Sequence, residues 1–258
     1  MERTVILVTG STDGIGKQAA LEFARGGATV LLHGRNQHLG ESVLTAIRHD
    51  SHNDRLELFI ADFSSLAQIR QLAAKISARH KRLDVLVNNA GVYMRHRQTT
   101  GDGFETTFAV NHLAPFLLTN LLLDLMTKSA PSRIVNVSSA AHQGASLDFD
   151  NLQGEKRYEP YGAYSTSKLA NLLFTYELAR RLDTSGVTVN ALHPGVIATK
   201  MLRASFGSMG GGPVEEGSAR IRFLAESESV NGVTGKYFVM DKEQPSSPVS
   251  RDVALQKR

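Results

Sequence analysis

The sequence predicts an α/β fold, a doubly wound parallel sheet in a single domain with helices on both faces. Two observations lead there. Short β-rich runs alternate with helix-length segments from residue 4 to about residue 192, with no composition break that would separate two cores. Most of the β-rich runs are continuously apolar, as strands covered on both faces must be. A third observation narrows the class to a Rossmann-like fold: the first run leads straight into Gly10, Gly14 and Gly16 and then a helical pattern.

The runs at 4–8, 28–32, 56–60, 84–87, 133–137 and 187–191 are the expected strands. Apolar residues at three- and four-residue spacing place helices over 15–25, 66–79 and 169–182. The expected strand order is 3-2-1-4-5-6-7, and residues 1–258 are read as one domain. Ser205 to Pro213 includes three consecutive glycines, which rule out a regular helix and lack strand periodicity. The stretch 198–217 is therefore expected to be a mobile lid. Residues 243–250, with two Pro and three Ser, read as an exposed loop before a short terminal helix. His49 and His52 fall in what reads as a polar helix-to-strand connection with no third ligand, so no metal site is expected.

Composition excludes several classes of function. With no Cys among 258 residues, there is no disulfide framework, thiolate nucleophile or Cys-ligated zinc. The net charge of +4 is too small to imply a nucleic-acid partner. The most apolar stretch, 116–126, is interrupted by Thr119, Asn120 and Asp124 and is shorter than a membrane span. A soluble, cytoplasmic protein without a membrane span is expected. Asn136-Val137-Ser138 matches a glycosylation sequon, but it sits inside an expected strand and reads as accidental.

The loop Thr9-Gly10-Ser11-Thr12-Asp13-Gly14-Ile15-Gly16 has a physical purpose. A phosphate approaches backbone closely only where side chains are missing, and the helix behind supplies unpaired N–H groups and a positive dipole end. The second strand ends at His33-Gly34-Arg35-Asn36, where a dinucleotide fold discriminates at the adenosine ribose. No acid stands there to accept from a 2′-hydroxyl, whereas Arg35 can pair with a 2′-phosphate, with Lys17 as a helper. NADP, used as NADPH, is therefore favoured over NAD. Asp62 either accepts from an adenine amino group or caps the helix that begins near Ser64, and spacing alone favours the cap. Asn88-Asn89-Ala90-Gly91 either packs against a flat ring or makes a simple turn. Tyr93 and Met94, just beyond, either line a substrate pocket or pack ordinarily.

Tyr164 and Lys168 stand one helical turn apart on one face. An unperturbed phenol titrates near 10, and a neighbouring ammonium lowers that value toward neutrality, so the pair could move a proton to or from an alcohol oxygen. Ser138 and Ser139 end the fifth strand, at the carboxyl edge where open parallel sheets bind ligands, and a hydroxyl there can hold a carbonyl.

These motifs resemble the short-chain dehydrogenase/reductase family over nearly the whole chain. The resemblance rests on Thr9-Gly10 with Gly14-Ile15-Gly16, Asn88-Asn89-Ala90-Gly91, Asn111, Ser138-Ser139, Tyr164 with Lys168, and Pro194-Gly195 with Thr199. It implies that Tyr164 is the general acid/base, that Lys168 binds the nicotinamide ribose and lowers the tyrosine pKa, and that Ser139 orients the carbonyl. It further implies a water held by Asn111, adenine beside Asp62, the cofactor along Gly10, Ser11, Thr12, Asn36, Asn89, Ala90 and Gly91, and the carboxamide near Pro194, Gly195, Val196 and Thr199. The runs 108–119, 151–155 and 167–171 and the insertion 144–160 are similar to the retinol-dehydrogenase-like group, which reduces retinaldehyde, steroid, lipid-derived or xenobiotic carbonyls. The lid, with little apolar surface, points to a small apolar carbonyl or alcohol as substrate. The resemblance also implies a homodimer or homotetramer. A double-bond reductase on the same scaffold and a non-catalytic dinucleotide-binding regulator are the alternative readings.

Overall fold

The computed structural model describes residues 4–207 and 210–258. Met1 to Arg3, and Ser208 and Met209 within the expected lid, lie outside the described residues. The strands are β1 (Val5–Val8), β2 (Thr29–Gly34), β3 (Leu56–Ile60), β4 (Val85–Asn88), β5 (Ser132–Val137), β6 (Val187–His193), β7 (Tyr237–Val239) and β8 (Lys242–Glu243). They form one sheet in the order β3-β2-β1-β4-β5-β6-β7-β8. The first seven are mutually parallel, as expected. β8 is an addition, a two-residue antiparallel strand on the β7 edge.

The helices are α1 (Gly14–Arg25), α2 (Gln37–Ser51), α3 (Leu66–Arg79), α4 (Thr106–Phe108), α5 (Ala114–Lys128), α6 (Pro160–Arg181), α7 (Lys200–Phe206), α8 (Val214–Glu226) and α9 (Val253–Lys257). Alternation along the strands explains the two cores. Ile6, Val8, Val30 and Leu32 point to the face covered by α1, α2 and α8, where they meet Phe23, Ile47 and Ile221. Leu7, Leu31, Leu86 and Ile134 point to the opposite face and meet Ile69, Leu118 and Phe174 of α3, α5 and α6. At about 25 cal/mol per Å² of apolar surface removed from water, side chains of this size each contribute roughly 1.5–3 kcal/mol.

A polar chain crosses the second core. The Asn88 amide donates to Thr119 Oγ1 (3.0 Å) and to Asn136 Oδ1 (2.8 Å), and Asn136 Nδ2 donates to Thr175 Oγ1 (2.9 Å). Asn136 is 2% exposed, so the sequon asparagine is committed inward.

Several expectations are corrected. The stretch 198–217 contains regular helix at both ends, because Thr199 caps α7 and α8 begins at Val214. Ser205 and Phe206 are therefore helical, and Gly207 ends α7. His49 lies in the last turn of α2, and His52 ends that helix in the left-handed conformation. Residues 243–250 are an exposed loop only in part: Glu243, Gln244, Pro245 and Pro248 are exposed, but Ser246, Ser247 and Ser250 are 4%, 1% and 0% exposed. A π-helical turn, Ala109–Leu113, joins α4 to α5, so Thr106–Lys128 is one helical stretch long and apolar enough to cross a membrane by length and composition. In this fold Leu118, Leu122 and Met126 of that stretch are fully buried in the core.

Candidate active site

All the parallel strands end at one edge of the sheet, and the loops that follow them converge there. Gly10 has φ +65°, and a Cβ on it would come 2.8 Å from the Ala90 Cα. A Cβ on Gly16 would lie 2.4 Å from both Asn89 Nδ2 and the Gly10 carbonyl oxygen. The first turn of α1, the loop and the 89–91 turn are thus pressed together, with the Asn89 side-chain amide bridging them. Asp13 caps α1 by accepting from Gly14 N (2.9 Å), while the amides of Ile15 and Gly16 have no acceptor within the helix. A bare backbone cradle at a helix amino terminus fits the pyrophosphate of a dinucleotide.

The other nominated residues take varied positions around the cradle. Ser11 is fully buried and braces the loop: its amide donates to His33 O (2.9 Å), and its hydroxyl accepts from His33 N (2.9 Å). Thr12 lies over Gly34, where a Cβ would be 2.4 Å from the Thr12 methyl. Ile15 packs on Gly217 of α8. Arg35 is exposed at the end of β2, and Asn36 caps α2 by accepting from Leu39 N (2.9 Å). Asp62 accepts from Ser64 N (2.9 Å), but Ser65 caps α3, so the cap favoured on spacing belongs to the serine. Asn89 Nδ2 donates to Thr9 O (2.9 Å) and Gly10 O (3.3 Å). Across the cleft, Gly195 has φ +94°, and the Arg220 guanidinium donates to Pro194 O beneath it. Val196 is half-exposed, and Thr199 stands against Gly14 as it caps α7.

The chemical residues cluster beside this cradle. Tyr164 lies in the second turn of α6, which Glu159 caps by accepting from Tyr161 N. Ser139 is the neighbouring side chain that favours the Tyr164 phenolate. Lys168 is buried, its Nζ 5.6 Å from the centre of the Tyr164 ring and donating to Val137 O (3.0 Å). Asn111 sits in the π-helical turn, an irregularity common at functional sites. Its Oδ1 accepts from Val92 N (2.7 Å), and its Nδ2 donates to Val92 O (3.0 Å) and Ser167 Oγ (3.1 Å), so it pins the chain after β4 to α6.

The electrostatics correct one expectation. Burial pushes the Tyr164 phenol up to about 12, and the group that favours its phenolate is Ser139 rather than Lys168. Burial also lowers the Lys168 amine to about 8. Desolvation disfavours both charged forms, and the amine lies over the ring, turned to the last carbonyl of β5. The phenol accordingly stays protonated at neutral pH.

The cleft beyond Tyr164 is bordered by the chain after β4 and by α7. The rings of Tyr93 and Tyr164 are 5.7 Å apart. Tyr158 donates to Met94 O (2.8 Å), Arg95 Nε donates to Ala204 O (2.8 Å), and Lys200 pairs with Asp13 at 2.9 Å. The last two contacts hold α7 to both sides of the cleft.

Sequence reasoning missed two supports. His33, 3% exposed, accepts from Gly10 N at Nδ1 (3.2 Å), and its Nε2 donates to Ala61 O (3.1 Å), which fixes the tautomer and ties the cradle to β2 and the end of β3. Arg220 holds the Pro194 turn from α8. A polar residue inside an otherwise apolar strand was the available signal for His33, whereas nothing in the sequence marked Arg220.

Comparison with known proteins decides the family. The family profile described as short chain dehydrogenase matches residues 4–209. The chain belongs to the short chain dehydrogenase family. It is an oxidoreductase of that family, working between alcohol and carbonyl with a nicotinamide dinucleotide. Human retinol dehydrogenase 13 is 44% identical over 98% of this chain and 81% of its own length. Mouse retinol dehydrogenase 14 is 38% identical over all of this chain and 84% of its own. A short chain dehydrogenase from Escherichia coli, solved in complex with NADPH, superposes with a TM-score of 0.78 at 29% identity, covering 94% of this chain and 97% of that one.

Proposed function

We propose that the protein is an NADPH-dependent reductase of small apolar carbonyls, running as an NADP-dependent alcohol dehydrogenase in reverse. The observation that carries this reading is the pairing of Tyr164 with Lys168, the amine 5.6 Å from the ring centre, at the end of β5 where Ser139 follows and beside the glycine cradle. The dinucleotide, when bound, supplies or receives the hydride at its nicotinamide ring. Gly10, Gly14 and Gly16 would hold its pyrophosphate, Arg35 the 2′-phosphate, and Lys168 the nicotinamide ribose.

Ser139 donates to the substrate carbonyl oxygen, and Tyr164 gives that oxygen its proton as the alkoxide develops. A phenol held up to about 12 carries its proton at neutral pH, so the proton that reduction needs is in place on Tyr164. The NADPH and retinol dehydrogenase named in the comparisons agree with this class of reaction. Residues 198–217 act as the cover of the substrate cleft, held by Lys200 to Asp13 and by Arg95 to Ala204.

The test is NADPH oxidation across aldehydes, ketones, quinones and enones, repeated with NADH and with Tyr164→Phe. Carbonyl reduction by the parent is expected, with turnover in Tyr164→Phe reduced at least 10²-fold and NADPH binding retained. Unchanged turnover in the variant would sink the mechanism, and saturated products from enones alone would move the reading to double-bond reduction.

A further inference from the structure

His142 lies in the 3₁₀ turn Ala140–Gly144 that follows Ser139, and it is fully buried. Its Nδ1 lies 2.6 Å from the Ser139 carbonyl oxygen, which has no proton to give, so Nδ1 donates. Its Nε2 lies 3.1 Å from the Ser247 amide, which is a donor, so Nε2 accepts. One neutral tautomer satisfies both contacts, and burial, which lowers the ring's pKa, keeps it in that form. The Tyr237 ring meets the imidazole edge-on at 4.9 Å.

The far end of this bridge is a built structure. Tyr176 of α6 donates to Ser246 Oγ (2.6 Å), and Ser250 Oγ donates to Ser247 O (2.6 Å), so residues 246–250 are anchored among buried serines. The near end is Ser139, whose Oγ accepts from Ala141 N (3.2 Å) and whose carbonyl also takes the His142 amide (3.2 Å). The imidazole is the side chain that joins the two.

We propose that His142 is a positioning residue for Ser139, a two-ended clamp through which the carboxyl-terminal segment sets the direction of the serine hydroxyl. The clamp rests on the proposed function, because it matters only if Ser139 meets the substrate oxygen. It acts through Ser139, and the signature of such action is non-additivity.

The experiment is a double-mutant cycle of His142→Ala and Ser139→Ala, read as kcat for carbonyl reduction, with NADPH affinity measured separately by fluorescence titration. His142→Ala is expected to lower kcat about tenfold, since small misplacements of a catalytic group are costly, while NADPH affinity stays within about twofold. The double variant is expected to be no slower than Ser139→Ala alone. His142→Asn keeps a donor where Nδ1 stands and is expected to recover most of the loss. His142→Gln keeps only an acceptor where Nε2 stands and is not. Losses that multiply in the double variant, or parental kcat in His142→Ala, overturn the clamp alone. If His142→Ala fails to fold, the Asn and Gln variants carry the test, and equal turnover in the two overturns the clamp. A parent protein that reduces no carbonyl overturns the proposed function and the clamp with it.

Discussion

Gly16→Ala tests the cradle directly. The added Cβ would lie 2.4 Å from Asn89 Nδ2 and from Gly10 O, against an ordinary contact of 3.4 Å, so about 1 Å must be found. If Asn89 yields, its amide loses the bonds to Thr9 O (2.9 Å) and Gly10 O (3.3 Å), at about 1–3 kcal/mol. If the Gly10 carbonyl yields, the phosphate-facing backbone moves by a similar distance, and misplacement on that scale costs up to about 10²-fold. NADPH affinity is therefore expected to fall roughly 10- to 100-fold, about 1.4–2.8 kcal/mol. The melting temperature is expected to fall by roughly 2–8 °C. Gly101→Ala is the control, because a Cβ there meets nothing within 4 Å. Fluorescence titration with NADPH and thermal melts give both quantities. Parental affinity in Gly16→Ala, or equal losses in Gly101→Ala, would refute the reasoning.

Two further outcomes are expected. Arg35→Asp should shift the NADPH-to-NADH affinity ratio about tenfold toward NADH; the exposed guanidinium is screened by water, so a larger change is not expected, and an unmoved ratio would remove Arg35 from cofactor choice. His33, which is buried, and His112, which is half-buried, are lowered from 6.5 to about 4 by desolvation. Between pH 4 and 6.5 the unfolded chain thus binds more protons than the folded one, so stability rises with pH across that window and is lost as pH falls, by on the order of 1–3 kcal/mol per histidine. A melting temperature that stays level from pH 6.5 to 4.5, or is equally steep in His112→Asn, would contradict this.

Fold and cradle were legible in the sequence because their signals are local. A buried parallel strand must be apolar on both faces, and a loop that brings backbone to phosphate must carry glycine, so 4–8 and Gly10, Gly14 and Gly16 could be read in place. What was not legible depends on distant partners. Ser246, Ser247 and Ser250 look like an exposed loop by composition, and only the docking of Ser247 N on His142 and of Ser246 on Tyr176 buries them. Ser205 and Phe206 looked too close to glycine for a helix, yet Thr199 caps a short one just ahead of Gly207. Residue spacing placed Lys168 beside Tyr164, but not the depth of burial that raises the phenol and turns the amine to Val137.

The asparagine pair at Asn88 and Asn136 has a further effect on how the chain aligns. The two residues are direct partners across β4 and β5, where every other position but Ser132 and Arg133 is Val, Leu or Ile. Hydrophobic residues alone would tolerate a slip of either strand. A slip of one strand by one residue would turn its amide to the opposite, apolar face and leave the partner strand's buried amide unpaired, at about 1–3 kcal/mol for each orphaned group. The pair thus selects one alignment of the central strands, and that alignment sets the height at which Ser139 emerges beside Asn89, Ala90 and Gly91.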